Sequence, residues 1–190
     1  FVNDAFACAH RSTPSITGFT HHMPCIAGEL MVEEIRKLEK AMEKPKRPAI
    51  AVLGGIKVDD SVGVAENMLS KGICDHVWVT GGVANLFLHL SGIQIGDINV
   101  DFLKNELGDS WDETCRIASS LLVNFPECII MPNDIAANIA GNRVDLTLSQ
   151  LPIEAPIFDL GITSIRALSK AIKSAGTIVL NGPAGVFEMP

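Results

Sequence analysis

Residues 177–188 read Thr177-Ile178-Val179-Leu180-Asn181-Gly182-Pro183-Ala184-Gly185-Val186-Phe187-Glu188. β-Branched and aliphatic side chains run straight into Asn-Gly-Pro, a second glycine follows, and a carboxylate closes the stretch. The pattern predicts a buried strand ending in a tight, glycine-bearing loop. In an open parallel sheet, ligands sit outside the carboxyl ends of the strands. The loop is therefore read as one wall of a shared site, because earlier stretches repeat the design. Ala49-Ile-Ala-Val-Leu53 closes on Gly54-Gly55, His76-Val-Trp-Val-Thr80 on Gly81-Gly82, and Ile157-Phe-Asp-Leu160 on Gly161.

The segments between these runs read as helices. Gly28 to Lys44 carries Leu30, Ile35, Leu38 and Met42 on one face among charged neighbours, and Pro45 to Pro48 ends it. Asp59-Asp60-Ser61 reads as the cap of a helix running to about Lys71, with Gly72 as its stop. Val83 to Leu90 is a short apolar helix. Residues 93–110 read as loop with a short helix near Val100–Leu107. Ser110 and Glu113 form a capping-box signature for a helix from Trp111 to Asn124. Cys128 to Met131 is a strand stopped by Pro132. Residues 135–156 form an excursion in which Arg143 to Leu148 alternates as an edge or hairpin strand. Thr163-Ser164 reads as the cap of a helix through Ser174. Strands alternating with helices predict an α/β fold with a doubly wound, mostly parallel sheet. Residues 1–27 hold a strand end at Phe1-Val2 and otherwise loop, too little for a core of their own.

Composition narrows the function classes. With 47% hydrophobic and 19% charged residues, the 190-residue chain has the material for a packed core. A net charge of −7 argues against a nucleic-acid footprint. No apolar run has the length of a membrane span, and no signal peptide opens the chain. Cys8, Cys25, Cys74, Cys115 and Cys128 are scattered without a CxxC pair, and read as reduced, buried small hydrophobes of a cytosolic protein. The chain opens without Met and stops just after the glycine loop, so both ends read as cut from something longer.

A Gly-Gly pair alone is more often just a tight turn. Their joint placement at strand ends favours a nucleotide or phosphate ligand, since glycine lets backbone amides and helix N-termini approach phosphates. The dinucleotide and P-loop fingerprints are both absent. Lys57, two residues beyond Gly55, reads equally as a solvated surface lysine and as an ammonium that meets a phosphoryl oxygen. Glu188 reads as an acceptor for ribose hydroxyls. Arg11, in His10-Arg11, is either a surface residue or an anion ligand with a planar fork of donors. His21-His22 has no further ligands at metal spacing and receives no role. No nucleophile with a base partner stands out.

Taken in order, Asn3-Asp4-Ala5-Phe6 with Ala9-His10-Arg11, Gly54-Gly55-Ile56-Lys57-Val58, Thr80-Gly81-Gly82-Val83-Ala84-Asn85, Asp159-Leu160-Gly161 and Asn181 to Glu188 resemble the motif series of phosphoglycerate kinase. Each motif is modestly specific; the ordered series is highly specific and covers essentially the whole chain. Pro14-Ser15 and Asp59-Asp60-Ser61 look most like the archaeal branch. The resemblance implies a two-lobed cytoplasmic kinase moving a phosphoryl group between 1,3-bisphosphoglycerate and ADP, giving 3-phosphoglycerate and Mg-ATP. It implies that residues 1–27 belong to the phosphoglycerate-binding lobe, 28–48 to an interlobe helix and linker, and 49–190 to an incomplete, Rossmann-like nucleotide lobe.

By motif match, Arg11 joins the basic substrate patch and Lys57 stands near the transferring phosphoryl group. Gly54, Gly55, Gly81 and Gly82 shape one side of the nucleotide cleft. Asn181, Gly182, Pro183 and Gly185 stand opposite, and Glu188 holds the ribose. Mg2+ is implied with ATP or ADP; no metal ligand is assigned in this chain. Phosphoryl transfer needs mainly positioning and charge stabilisation, which fits a site without a nucleophile.

Two departures stand out: Ser61 occupies the position where many members carry a second lysine, and Ala7-Cys8 stands where Gly-Thr is common. The family's N-terminal substrate loops and C-terminal glycine-rich phosphate loop are expected outside this chain. Two other classes compete: a nucleotide-binding module without turnover, and a nicotinamide-dependent dehydrogenase. The missing glycine fingerprint counts against the second.

Overall fold

All five side chains of Ala49–Leu53 are buried, which is possible only for a strand covered on both faces. The computed structural model describes residues 1–188. By internal contacts the chain divides into two units, Phe1–Pro45 and Lys46–Pro190.

In the first unit, β1 (Val2–Asn3) pairs in parallel with β2 (Ile26–Ala27). Between them lie a 3-10 turn at Phe6–Cys8, a single helical turn α1 (Pro14–Thr17) and another 3-10 turn at Gly18–His21, where the sequence pattern predicts loop. The long helix α2 (Glu29–Glu43) follows. Its N-terminus is capped from far away: the Asp4 carboxylate accepts the Met31 N–H at 2.8 Å. Only Gly28 and Met31 are buried among residues 1–45. Leu30, Ile35 and Leu38 of the expected apolar face stay exposed.

The second unit contains β3 (Ala49–Leu53), α3 (Val58–Ser70), β4 (His76–Val79), α4 (Gly81–Leu90), α5 (Asp97–Leu107), α6 (Trp111–Asn124), β5 (Ile129–Ile130), β6 (Asp134–Ile139), β7 (Asn142–Thr147), β8 (Ile157–Leu160), α7 (Ile162–Ser174) and β9 (Thr177–Asn181). Four strands form a parallel sheet in the order β5-β4-β3-β9. Ile50 and Val52 share one face of β3, as the two-residue period of a strand requires. They pack with Leu160, with Leu168 and Ala171 of α7, and with Ala175 at its C-terminal end. α3 lies against β3 and β4, and α6 packs on α3 and α4. Each fully buried aliphatic side chain in such a layer contributes about 2 kcal/mol.

The structure departs from the sequence reading in further places. Ile157–Leu160 is a strand, but it belongs to a separate antiparallel sheet of order β7-β6-β8. A four-residue apolar run has the same pattern in either kind of sheet, so periodicity cannot choose its partner. Gly81 and Gly82 lie in the first turn of α4, not before it.

The predicted caps also differ. Lys57 holds the N-cap position of α3 with no side-chain cap, so Asp59 and Asp60 sit within the first turn, where their charge favours the helix dipole. Ser110 donates to the Leu107 carbonyl at 2.7 Å, while Glu113 pairs with Arg116. Finally, only Cys74 is buried among the cysteines, whereas Cys8 and Cys25 are exposed. Burial, reinforced by nearby Asp75, pushes the Cys74 thiol up to about 11, leaving it an inert apolar filler.

Candidate nucleotide site

Strand order locates the site before any side chain is considered. From β3 the chain moves outward through β4 and β5, then returns to place β9 on the other side of β3. The order therefore reverses between β3 and β9, and a crevice opens there at the carboxyl edge. Gly54-Gly55 leaves β3 and Asn181-Gly182-Pro183 leaves β9 at this reversal.

The two turns are stitched together. The Gly54 N–H donates to the Asn181 carbonyl at 2.8 Å, and the Gly82 N–H to the Gly55 carbonyl at 3.2 Å. The Thr80 hydroxyl donates to the Leu53 carbonyl at 3.2 Å. A Cβ at Gly182 would collide with the Gly54 carbonyl, and Gly182 has φ +74°. A Cβ at Gly54 would strike the Pro183 carbonyl and the Thr80 hydroxyl. Gly182→Ala is accordingly expected to cost about 2 kcal/mol of stability through strain, read as a lowered denaturation midpoint. An unchanged midpoint would show that the two turns relax apart freely.

A cavity of about 680 Å³ lies at this edge. It is lined by Gly54, Gly55, Lys57, Gly81, Gly82, Asn181, Gly182, Pro183, Gly185 and Glu188, which brings together every residue expected at the nucleotide cleft. Arg11 is not among the lining. It is an exposed residue of the first unit, its N–H donating to the Cys8 carbonyl at 2.9 Å.

The lining contains two chemically distinct sets of groups. The glycine turns and the N-terminus of α4 offer backbone suited to anionic groups, and Lys57 is the only cation among the described residues of the lining. Lys57 is exposed, and no carboxylate among the described residues pairs with its ammonium. The second set is apolar: Ile98, Phe102, Pro156, Ile157, Phe158, Val186 and Phe187. Such a slot accepts a flat ring.

The sequence reading missed this slot. Its one available signal was Ile98 and Phe102, four residues apart on α5 and both exposed, but 98 lay in a stretch read as loop. Asn99 was missed too. Buried, it donates to the Ile95 and Ala155 carbonyls at 2.8 and 3.1 Å and accepts the Ile157 N–H at 2.8 Å. Asn85 donates to the Ile157 carbonyl at 3.2 Å. Together they fix the Pro156–Phe158 side of the cavity.

Ser61, at the position of the family's second lysine, is buried. Its hydroxyl donates to the Gly54 carbonyl at 3.4 Å and accepts from the Asn181 amide at 3.3 Å. It therefore binds the two turns to each other. Among the described residues no group of three or more His, Cys, Asp or Glu side chains could hold a metal ion.

The family model for phosphoglycerate kinase matches residues 1–190, the whole chain. The chain belongs to the phosphoglycerate kinase family. It is 45% identical over 190 residues to the phosphoglycerate kinase of Methanothermobacter thermautotrophicus and 44% identical over 190 residues to that of Methanosarcina mazei, covering 100% of this chain and 45% of each relative. The crystal structure of phosphoglycerate kinase from Pyrococcus horikoshii matches with a TM-score of 0.90 at 38% identity, over 99% of this chain and 47% of that one. The enzyme from Coxiella burnetii matches at 0.75 and 32%, over 100% and 48%. The chain thus spans a little under half the length of the family members it matches. The α/β fold is that of the family.

Proposed function

We propose that this chain is the nucleotide-binding part of a phosphoglycerate kinase, an enzyme of glycolysis and gluconeogenesis transferring a phosphoryl group between 1,3-bisphosphoglycerate and ADP. One observation carries the reading: the Gly54–Lys57, Gly81–Gly82 and Asn181–Glu188 motifs, distant in sequence, converge on one cavity at the strand-order reversal. In this proposal the apolar slot takes the nucleobase, and Glu188 accepts hydrogen bonds from the ribose. The glycine turns and the α4 N-terminus receive the phosphates, and Lys57 stabilises charge on the transferring group.

Mg2+ arrives on the nucleotide phosphates, a binding mode that needs few protein ligands, and no step is assigned to it through this chain's carboxylates. Residues 1–27 belong to the phosphoglycerate lobe, 28–48 link the lobes, and 49–190 form the nucleotide lobe. Closure of the lobes would exclude water as a competing acceptor. The protein is proposed to act in the cytoplasm; among the described residues no helix is long and apolar enough to cross a membrane.

A coupled assay of the full-length protein tests the reading. ATP formation from Mg-ADP and 1,3-bisphosphoglycerate is expected, and its absence would refute the proposal. Since catalysis draws on both lobes and this chain spans less than half of its relatives, residues 1–190 alone are expected to bind Mg-ADP in calorimetry without turnover. Robust kinase activity from residues 1–190 would contradict that second reading.

Arg11 supplies a separate check. Arg11→Ala in the full-length protein is expected to raise the KM for 3-phosphoglycerate on the order of tenfold, the loss of one charge-assisted contact. The KM for ATP should barely change. A loss specific to the nucleotide would show that Arg11 serves the wrong lobe.

A further inference from the structure

β7 carries one arginine, and its ion pair with Asp159 leads toward the cavity wall. The Arg143 guanidinium donates to Asp159 at 2.7 Å and to the Leu160 carbonyl at 2.7 Å, and reaches Asp145 at 3.2 Å. Asp159 in turn accepts the Leu160 N–H at 2.8 Å. The carboxyl group of Asp159 lies against Gly185, so closely that a Cβ there would collide with it. One residue further, the Val186 N–H donates to the Phe158 carbonyl at 3.0 Å. Two residues beyond Val186 is Glu188.

A smaller cavity of about 230 Å³ lies beside Arg143 and shares Phe158 and Val186 with the main one. The two cavities therefore share part of their wall. An arginine already engaged by two carboxylates and a carbonyl is a poor receptor for a further anion. Its planar, forked donors instead hold a fixed geometry, which a lysine cannot reproduce.

We infer that Arg143 is a positioning residue: by clamping Asp159 behind Gly185, it sets the stretch from Gly185 to Glu188 that closes the nucleotide cavity. The inference rests on the nucleotide reading for its consequence, but the clamp itself is independent of any ligand. Arg143 touches neither nucleotide nor phosphoglycerate in this scheme; it acts through Asp159.

The test uses the full-length protein and the variants R143A, R143K, E188A and R143A/E188A. Without ligand, R143A is expected to speed hydrogen exchange at the Val186 amide on the order of tenfold while amides in β3 keep their protection. R143K, which can hold Asp159 but not fork, should fall between R143A and the wild type. In calorimetry with Mg-ADP, R143A should lose on the order of tenfold in affinity, and R143A/E188A should bind no more weakly than E188A alone.

Unchanged exchange at Val186 in both Arg143 variants would overturn the clamp. Additive affinity losses in the double variant would overturn its action through the Glu188 wall. If the wild type fails to bind Mg-ADP, the nucleotide reading falls and takes the affinity consequence with it, while the exchange measurement still decides the clamp.

Discussion

Lys57→Ala in the full-length protein is expected to lower kcat on the order of a hundredfold or more, with the KM for ADP changed by only about threefold. The reasoning starts from position. Lys57 occupies the N-cap of α3, directly after the turn that leaves β3 at the strand-order reversal. Its ammonium is unpaired among the described residues and is the only cation lining the cavity. Charge on a transferring phosphoryl group is spread over its oxygens in the transition state, so a cation placed there acts mainly on kcat. The residue nearest in sequence that could substitute, Ser61, is held between the Gly54 carbonyl and the Asn181 amide. Steady-state kinetics with both substrates checks this. An effect confined to KM would show that Lys57 only binds the ground state.

Asp134→Ala is expected to destabilise the protein by about 3 kcal/mol, the largest effect on stability anticipated for any single change outside the apolar core. Asp134 is buried at the start of β6. Its carboxylate accepts the Thr163 and Ser164 N–H groups at 2.8 Å each, and also the Ser164 hydroxyl. These are donors in the first turn of α7 that the helix itself cannot satisfy. Removing the carboxylate leaves both N–H groups without this partner, that of Ser164 in a buried position.

The same contacts predict a pH dependence. Desolvation, the largest single influence, raises the Asp134 pKa, but the Ser164 hydroxyl and the two N–H groups together outweigh it and hold the carboxyl below its ordinary value. A group depressed in the folded state contributes stability above its unfolded pKa, about 3.9. That contribution is lost as pH falls through the lower folded value. The stability gap between wild type and Asp134→Asn should therefore narrow below about pH 4. A gap constant down to pH 2 would show that the charge on Asp134 contributes nothing. Chemical denaturation at stepped pH measures it.

Much of the site was legible in the residues because glycine carries positional information. Where backbone must approach backbone, as Gly182 approaches Gly54, only one residue type serves, and the chain displays it. The apolar slot was not legible. Ile98, Phe102, Phe158 and Phe187 are ordinary hydrophobic residues from four separate segments, and nothing local distinguishes a slot-lining side chain from a core one. The helix caps failed for a related reason. Thr163-Ser164 has the composition of a cap, yet both residues donate their N–H groups to Asp134, thirty residues away. Likewise, α2 is capped by Asp4 and not by a neighbour.

By itself, then, the sequence determined the alternation of strands and helices, the glycine turns at the strand ends and, through the ordered motifs, the family. These follow from backbone freedom and side-chain period, which act over a few residues. Only the tertiary structure decided that β9 returns to the far side of β3 and that Ile157–Leu160 joins an antiparallel sheet. It also decided that Ser61 binds two turns together. Those outcomes depend on which surfaces bury each other between segments distant in sequence, from Ala137 and Ile157 in one sheet to Ala49 and Thr177 in the other. The loop from Asn181 to Glu188 shows the division: its turn was written in its glycines, but its place opposite Gly54-Gly55 came from the order in which the strands assembled.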